Sequence, residues 1–136
     1  MREFATRVGS EPLAILAMDC HPWHGTLGLA ALTATEVAAD KLLADPAEMA
    51  AWRYFDFTRD LSSWQPASDL GERMKSAYEN GDRRAVADAF FRACVAAMTS
   101  KVVRDALAVF VRIDDFRLSV PQPDDRREFV AGDIEP

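Results

Sequence analysis

The segment from Asp19 to Gly25 carries the residue types in this chain that are best suited to chemistry. It reads Asp-Cys-His-Pro-Trp-His-Gly and holds both histidines, one of the two cysteines and one of the three tryptophans. Carboxylate, thiolate and imidazole groups bind zinc. In nucleophilic catalysis a thiolate can also act as the nucleophile, an imidazole as its base and a carboxylate as the group that orients the base. Because loops carry chemistry that a packed core cannot, this cluster between two apolar runs favours a functional turn.

A zinc site formed by Asp19, Cys20, His21 and His24 is the most specific hypothesis for this segment. The two histidines are near enough in sequence to share one ion within a turn. Strand geometry argues against the full set, because neighbours such as Cys20 and His21 point to opposite faces. The sequence holds no second Cys/His cluster, since Cys94 falls on a predicted helix, so no metal or cofactor is expected.

Nucleophilic catalysis is a second chemistry that the same segment suggests, with Cys20 as nucleophile and a histidine as its base. The members of a catalytic triad normally converge from distant parts of a chain, so sequence neighbours rarely form one. The glycines are scattered and form neither a dinucleotide-binding pattern nor a P-loop. The sequence leaves catalysis open and favours a protein without enzymatic activity.

Two apolar runs flank the segment and predict a β-hairpin. Residues 13–18 have the length of a strand, and residues 26–33 form the second run. Between them, Pro22 presets the backbone angle of a turn and Gly25 can take a positive φ. The hairpin would place the chemically active residues at or beside its turn.

A single helix over residues 26–43 is the alternative to the second strand, because its many alanines favour a helix. We expect the strand to end near Thr33, since Thr33 and Glu36 have the spacing of a capping box. Asp45 is a further start signal, because a proline and then a glutamate follow it at the first and third helical positions.

The remaining sequence predicts helices and two further strands from its pattern of apolar residues. Aromatic residues favour a strand over residues 52–58. Asp82 begins a long helical stretch whose buried stripe is expected to include Phe90 and Leu107, with a break at residues 99–100. The other predicted elements are a short helix over residues 2–8, a loop over 62–66, a helix capped by Ser68 that ends at Asn80-Gly81, and an edge strand over 116–120.

This order of elements predicts the α+β class, because strands and helices do not alternate regularly. We expect a small antiparallel sheet of about four strands, including the N-terminal hairpin, with helices packed on one face. Residues 1–123 are expected to form one domain, and residues 124–136 an acidic, flexible tail.

The composition limits the classes of function. With 136 residues and a formal net charge of −6, the chain lacks the basic face that nucleic-acid binding needs. It contains no apolar run of membrane-spanning length, so no membrane partner is expected. Two cysteines are too few for a disulfide framework, which favours a cytoplasmic protein with reduced thiols. The abundance of alanine and arginine indicates GC-rich coding and a bacterial source.

Four residues are candidates for contact with a protein partner. Trp23 and Trp64 lie in turn-like segments, and exposed aromatic residues are enriched in binding hot spots. Asp114 and Asp115 precede the predicted edge strand and would attract a basic partner. The partner is expected to be another protein or a second copy of this chain.

In size, acidity and order of elements, the chain resembles small bacterial α+β proteins, among them immunity proteins that neutralise toxins. The resemblance implies a non-enzymatic protein-binding module, an immunity-type or accessory protein. Two alternatives stay open. One is a small enzyme or metal-binding protein centred on the Asp19–His24 turn. The other is a homo-oligomer subunit, such as a homodimer, that uses its exposed aromatic residues as an interface.

Overall fold

The structure, a computed structural model, describes residues 1–124 and the backbone of residues 128–129, and its class is α+β as predicted. The sheet is built from β1 (Leu13–His21), β2 (Thr26–Thr33) and β3 (Arg112–Pro121), in the spatial order β2-β1-β3. β1 pairs antiparallel with β2 and parallel with β3, so the sheet is mixed.

The expected sheet of about four antiparallel strands is wrong in strand number and in strand direction. Within the described residues the sheet proper has three strands, and β4 (Glu128–Phe129) only extends it beside the last two residues of β3. The chain starts β3 at the end of the sheet where β1 starts, since Arg112 pairs with Leu13. β3 therefore runs parallel to β1.

The predicted N-terminal hairpin is confirmed. β1 and β2 pair along their lengths, from Leu13 opposite Thr33 to His21 opposite Thr26. At the turn, the backbone N–H of Gly25 donates to the carbonyl oxygen of His21 at 2.9 Å, and Gly25 takes a φ of +68°. Glycine suits this position because other residues are strained in that conformation.

The capping box that ends β2 is also confirmed. The Thr33 side chain accepts from the Glu36 N–H, and the Glu36 carboxylate accepts from the Thr33 N–H, at the start of α2 (Ala34–Ala39). The alternative of one helix over residues 26–43 is therefore wrong, because residues before the cap are extended.

The predicted strand over residues 52–58 is wrong. The segment makes an isolated bridge, between Tyr54 and Ala31, along the outer edge of β2. Asp56 takes a φ of +50°, which bends the backbone out of the extended conformation. Three hydrogen bonds hold the segment to β2, from Ala31 N–H to Tyr54 O at 3.2 Å, from Phe57 N–H to Leu29 O at 3.0 Å and from Leu29 N–H to Thr58 Oγ1 at 3.1 Å. The aromatic residues cover a sheet edge and do not extend the sheet.

Three helices lead from this segment to β3, namely α3 (Gln65–Asn80), α4 (Arg83–Met98) and α5 (Lys101–Leu107). The predicted cap at Asp82 is confirmed, because its carboxylate accepts from a backbone N–H of the first turn of α4. The predicted break at residues 99–100 is also present. Among the described residues, no helix has both the length and the apolar character needed to cross a membrane.

The start of α3 differs from the prediction. The helix begins at Gln65 and not at a cap on Ser68, and residues 62–64 form a 3₁₀ turn in place of a loop. Pro66 is compatible with this start because the first turn of a helix needs no backbone donor. The predicted end at Asn80-Gly81 is confirmed.

The buried face of α4 is displaced by one residue from the prediction. Phe91 is 0% exposed, whereas Phe90, which was expected in the core, is only partly buried. An alanine-rich helix offers two adjacent apolar stripes, and the contact with the sheet selects one of them. Leu107 is buried as predicted.

One face of the sheet, the helical face, packs against α1 (Arg2–Val8), α3, α4 and α5, as the prediction of helices on one face requires. The short helix α1 was itself predicted over these residues. Its Phe4 stacks on Phe57 with ring centroids 3.7 Å apart. The helical face also buries Leu16 and Cys20 from β1.

The opposite face, the turn-covered face, packs against two 3₁₀ segments, Lys41–Ala44 and Pro46–Ala51. Here Ile15 and Ala17 of β1 contact Met49 and Trp52, among other apolar residues. The predicted tail over residues 124–136 lies outside the described residues, apart from Asp124 and the backbone of 128–129.

Candidate functional site

The end of β1 alternates between the two faces of the sheet. Asp19 and His21 lie on the turn-covered face, in line with Ile15 and Ala17, whereas Cys20 lies on the helical face. The Nε2 of His21 lies 2.7 Å from Oδ1 of Asp19. The side chains of His21 and Asp19 are 26% and 15% exposed, so the pair is largely removed from water.

A cleft of about 340 Å³, the Asp19–His21 cleft, opens on the turn-covered face beside this pair. Its size falls near the lower limit of small-ligand pockets, roughly 300 Å³. The other walls come from the second 3₁₀ segment, from the segment along β2 and from the residues after β3. The side chains that line it are those of Asp19, His21, Asp45, Pro46, Ala47, Met49, Ala50, Phe55, Pro121, Gln122 and Pro123.

The cleft forms because the cover of this face ends part-way along β1. The indole N–H of Trp52 donates to the carbonyl oxygen of Leu43 at 2.8 Å, and Nη2 of Arg117 donates to that of Ala44 at 2.7 Å. Asp45 then caps the second 3₁₀ segment. These contacts fix the 3₁₀ segments over the apolar first half of β1 and leave its charged end beside a cavity.

The Asp19–His21 contact sets the charge of the cleft. The hydrogen bond to Asp19 raises the pKa of His21 above its ordinary value of 6.5. Burial of the ring opposes this change, and the negative charges of Asp19 and Asp124 add to it. The imidazole is therefore protonated over a wider pH range than a free histidine, and below its raised pKa it forms an ion pair with Asp19.

This arrangement can do two things chemically. A histidine held by a carboxylate can exchange a proton with a bound molecule. The pair can also hold a charged group by electrostatic attraction. No described residue in the cleft lining is a Ser, Thr, Cys or Lys, so the lining as described supplies no hydroxyl, thiol or amine nucleophile from these residue types.

Ser119 of β3 is a polar residue that the sequence did not single out. Ser119 pairs with Ala17 of β1, which lies two residues before Asp19. The residue is 1% exposed. Its hydroxyl oxygen is buried with no hydrogen-bond partner among the described residues. Buried hydroxyl groups normally have a hydrogen-bond partner, so Ser119 is an exception within the described residues.

The structure brings together two of the four candidate metal ligands and separates the others. Cys20 is 0% exposed, and its thiol donates to Sδ of Met74 at 3.8 Å on the helical face. The ring of His24 lies 6.0 Å from that of His21, centroid to centroid. In the part of the chain that the structure describes, no three His, Cys, Asp or Glu side chains are placed to hold one ion.

Cys20 is also poorly placed as a nucleophile. Interaction with the neighbouring Cys94 thiol and burial of the side chain raise the pKa of the Cys20 thiol above the ordinary range. The thiolate is the reactive form of cysteine, so a buried thiol with a raised pKa is unreactive at neutral pH. Both cysteines are free and buried in the core of the helical face.

The two candidate tryptophans are both half-buried. The ring of Trp23 packs edge-on against that of His21, with centroids 5.5 Å apart, and lies 6.2 Å from the ring of Tyr78. The indole N–H of Trp64 donates to the carbonyl oxygen of Leu27 at 2.9 Å. Trp64 therefore anchors the start of α3 to β2, and Trp23 links the hairpin turn to α3.

Asp114 and Asp115 are exposed on β3, in its irregular first half. Pairing with β1 shifts register there, because Arg112 pairs with Leu13 and Arg117 already pairs with Ile15. The extra residues of β3 bulge from the regular ladder and carry the two carboxylates into solvent.

A second cleft of about 320 Å³ lies on the other side of the segment that follows β3. Gln122 lines both clefts. In the second cleft, the guanidinium of Arg83 lies 5.8 Å from the ring centre of Tyr78. The lining residues are Trp23, Tyr78, Arg83, Arg84, Ala87, Asp88, Gln122 and Asp124. The described lining holds two arginines and two aspartates, so its formal charges balance.

Sequence reasoning missed most of the Asp19–His21 cleft. The two-residue period of a strand is the signal that joins Asp19 to His21 and separates Cys20, and it was available from the sequence. Met49, Phe55 and Pro121 come from three separate segments, and no local pattern indicates that they meet.

The chain was also compared with known proteins. It matches no protein-family description, no curated protein and no solved structure.

Proposed function

We propose that this chain is a non-enzymatic protein-binding module that recognises a basic partner, as an immunity-type or accessory protein does. The observation that carries the proposal is the exposure of Asp114 and Asp115 in the first half of β3, the part of the strand with which β4 does not pair. The formal net charge of −6 would steer a basic protein toward this surface. An edge strand also offers free backbone groups to an incoming strand.

The position of the cysteines supports binding over nucleophilic catalysis. Cys20 lies on the face of β1 opposite to His21, so the two side chains are not arranged as nucleophile and base. Trp23 keeps part of its ring at the surface next to the hairpin turn and is the aromatic candidate for partner contact.

The test begins with capture of partners from the native host and identification of any bound protein by mass spectrometry. Affinity and association rate are then measured with the purified partner. Changing Asp114 and Asp115 to Lys should slow association roughly tenfold at low salt and less at high salt, as charges that steer an encounter do. Trp23→Ala should weaken binding by at least about 1 kcal/mol.

A matched control reverses two exposed charges elsewhere. Glu72 and Glu79 lie on α3, and changing both to Lys alters the net charge by the same amount. Equal effects of the two double variants would contradict a specific role of Asp114 and Asp115.

Acidic residues also keep edge strands from pairing with each other. If the Asp114 and Asp115 variant aggregates but binds normally, that protective role replaces the proposed one. Capture of the chain itself would support the homo-oligomer.

A second candidate function is acid–base catalysis at the Asp19–His21 cleft, which the 2.7 Å contact favours. The carboxylate orients the ring and raises its basicity, as a general base needs. In an activity screen against small hydrolysable and isomerisable substrates, His21→Gln should abolish any turnover and Asp19→Asn should reduce it. Turnover that survives His21→Gln would exclude this candidate.

A further inference from the structure

We propose that the Asp19–His21 cleft binds the side chain of a lysine or arginine from the protein partner. This inference rests on the proposed function, because it assigns a receiving site to a basic partner. The cleft lies on the turn-covered face of the sheet and does not include Asp114 or Asp115.

The walls of the cleft suit the stem of a long side chain. Pro46, Met49, Phe55, Pro121 and Pro123 present apolar surface around a volume of about 340 Å³. Lysine and arginine carry three or four methylene groups that pack on such surface while the charged end stays near polar groups. A short polar side chain would leave these walls uncovered.

The charges of the cleft select a cation. Asp19 and Asp45 both line it, and the one cation among its described lining residues is the protonated form of His21. With His21 protonated the lining therefore carries a net charge of about −1, and with His21 neutral about −2. The imidazole contacts Oδ1 of Asp19, so the second oxygen of that carboxylate is the acceptor for an incoming N–H group.

Other occupants fit the cleft less well. A carboxylate or phosphate would be repelled by the negative charges of Asp19 and Asp45 in the lining. An uncharged apolar side chain would remove water from the carboxylates without replacing their hydrogen bonds, which costs free energy. A cation with an apolar stem satisfies both parts of the lining.

The same geometry predicts a pH dependence. His21 is influenced by Asp19 on its own strand and by Asp124 after β3, with Asp45 across the cleft and His24 in the turn. A bound cation is repelled by the imidazolium, so its affinity should rise as pH increases through the pKa of His21. By reciprocity, saturation with the cation should lower the pKa of His21.

The experiment uses the whole chain and two matched probes, N-acetyl-arginine amide and the uncharged N-acetyl-norleucine amide. NMR spectra record backbone amides along the cleft and the imidazole resonances of both histidines, with His24 as an internal reference for general ionic effects. The arginine probe should shift residues around the cleft in a saturable way, and the norleucine probe should bind at least about fivefold more weakly, the scale of one unit charge a few ångströms away in water.

Three variants make the test specific. Asp19→Asn should weaken the arginine probe about fivefold or more. Asp45→Asn should weaken it by a smaller factor, since asparagine still caps the 3₁₀ segment. Glu72→Gln removes an exposed charge on α3, away from the cleft lining, and should leave the affinity unchanged. All three are checked for native spectra first.

The outcomes separate the two proposals. Shifts that scatter over the surface, equal binding of the two probes, or an affinity unaffected by Asp19→Asn would overturn the cleft assignment. If the purified partner still loses affinity when Asp114 and Asp115 are reversed, the proposed function stands without the cleft. If the arginine probe binds as described but charge reversal at Asp114 and Asp115 has no effect, the cleft assignment stands and the proposed role of Asp114 and Asp115 in partner binding is wrong.

Discussion

The two faces of the small sheet differ in what covers them and in what β1 presents to them. On the helical face, four helices bury Leu16 and Cys20, and the packing continues to the end of the strand. On the turn-covered face, two 3₁₀ segments bury Ile15 and Ala17 and then stop. The next residues on that side, Asp19 and His21, line a cleft.

This difference follows the alternation of side chains along β1. From Leu16 onward the residues of β1 on the helical face stay apolar as far as Cys20, which contacts Met74 in the core. From Ile15 onward the residues on the turn-covered face change from alkyl side chains to the Asp19–His21 pair at the point where the cover ends. We infer that the helical face provides stability and that the charged end of the other face is free to bind.

The largest expected effect tests the helical face. Phe91→Ala should lower the free energy of unfolding by about 3–5 kcal/mol, because a fully buried aromatic ring leaves a cavity. Phe90→Ala is the matched control on the same helix and should cost clearly less, since Phe90 is only partly buried. Urea denaturation of both variants measures the difference. Equal losses would show that the buried stripe of α4 is assigned to the wrong residues.

The second effect compares one residue type on the two faces. Met74 is 0% exposed on the helical face, whereas Met49 is 7% exposed and lines the cleft. Removal of a buried methionine side chain costs about 2–5 kcal/mol. The loss in unfolding free energy should lie near the upper end of this range for Met74→Ala and near the lower end for Met49→Ala, because residues around a cleft can relax into the vacated space. A larger loss for Met49→Ala in urea denaturation would contradict the comparison.

The third effect tests the contact that positions the hairpin turn. A Cβ on Gly71 of α3 would overlap the carbonyl oxygen of Gly25. Replacement of an unconstrained helical glycine by alanine stabilises a helix by up to about 1 kcal/mol. Here Gly71→Ala should instead destabilise the protein by about 1–3 kcal/mol, as overpacking does. A rise in the melting temperature would show that the turn does not pack closely on α3.

The smallest effect concerns pH. Because the folded-state pKa of His21 is raised, the ion pair stabilises the folded protein fully below the ordinary value of 6.5. That contribution is lost as pH rises through the raised pKa. Unfolding free energies from about pH 5 to about pH 8 should show this decline in the wild type and a smaller one in Asp19→Asn. The same slope in both proteins would mean that Asp19 does not set the pKa of His21.

Local signals predicted much of this fold, and long-range contacts account for the errors. The hairpin, the capping box at Thr33 and the cap at Asp82 depend on residues close in sequence, and all three are confirmed. The segment 52–58 has strand-forming residues, but its role at the edge of β2 depends on a partner strand more than twenty positions earlier. The parallel placement of β3 depends on the whole helical connection.

Of the candidate site, the sequence could predict only which residues of β1 share a face of the sheet. Strand alternation predicts that Cys20 and His21 lie on opposite faces of the sheet, and the structure has them there. The sequence could not indicate that Phe55 or Pro121 would complete a cleft around His21, because that requires the packing of segments far apart in the chain.

The measurement that tests the account most directly is the free energy of unfolding of the double variant Asp19→Asn with His21→Gln. Changing both residues removes the two partners of the ion pair together, so neither is left without the other and the value reports what the pair contributes to folding. We expect a loss within about 1 kcal/mol of the wild type, the range of partly exposed ion pairs. A loss of about 3–5 kcal/mol, equal to that of a core phenylalanine, would contradict the account, because the charged end of β1 would then belong to the structural core.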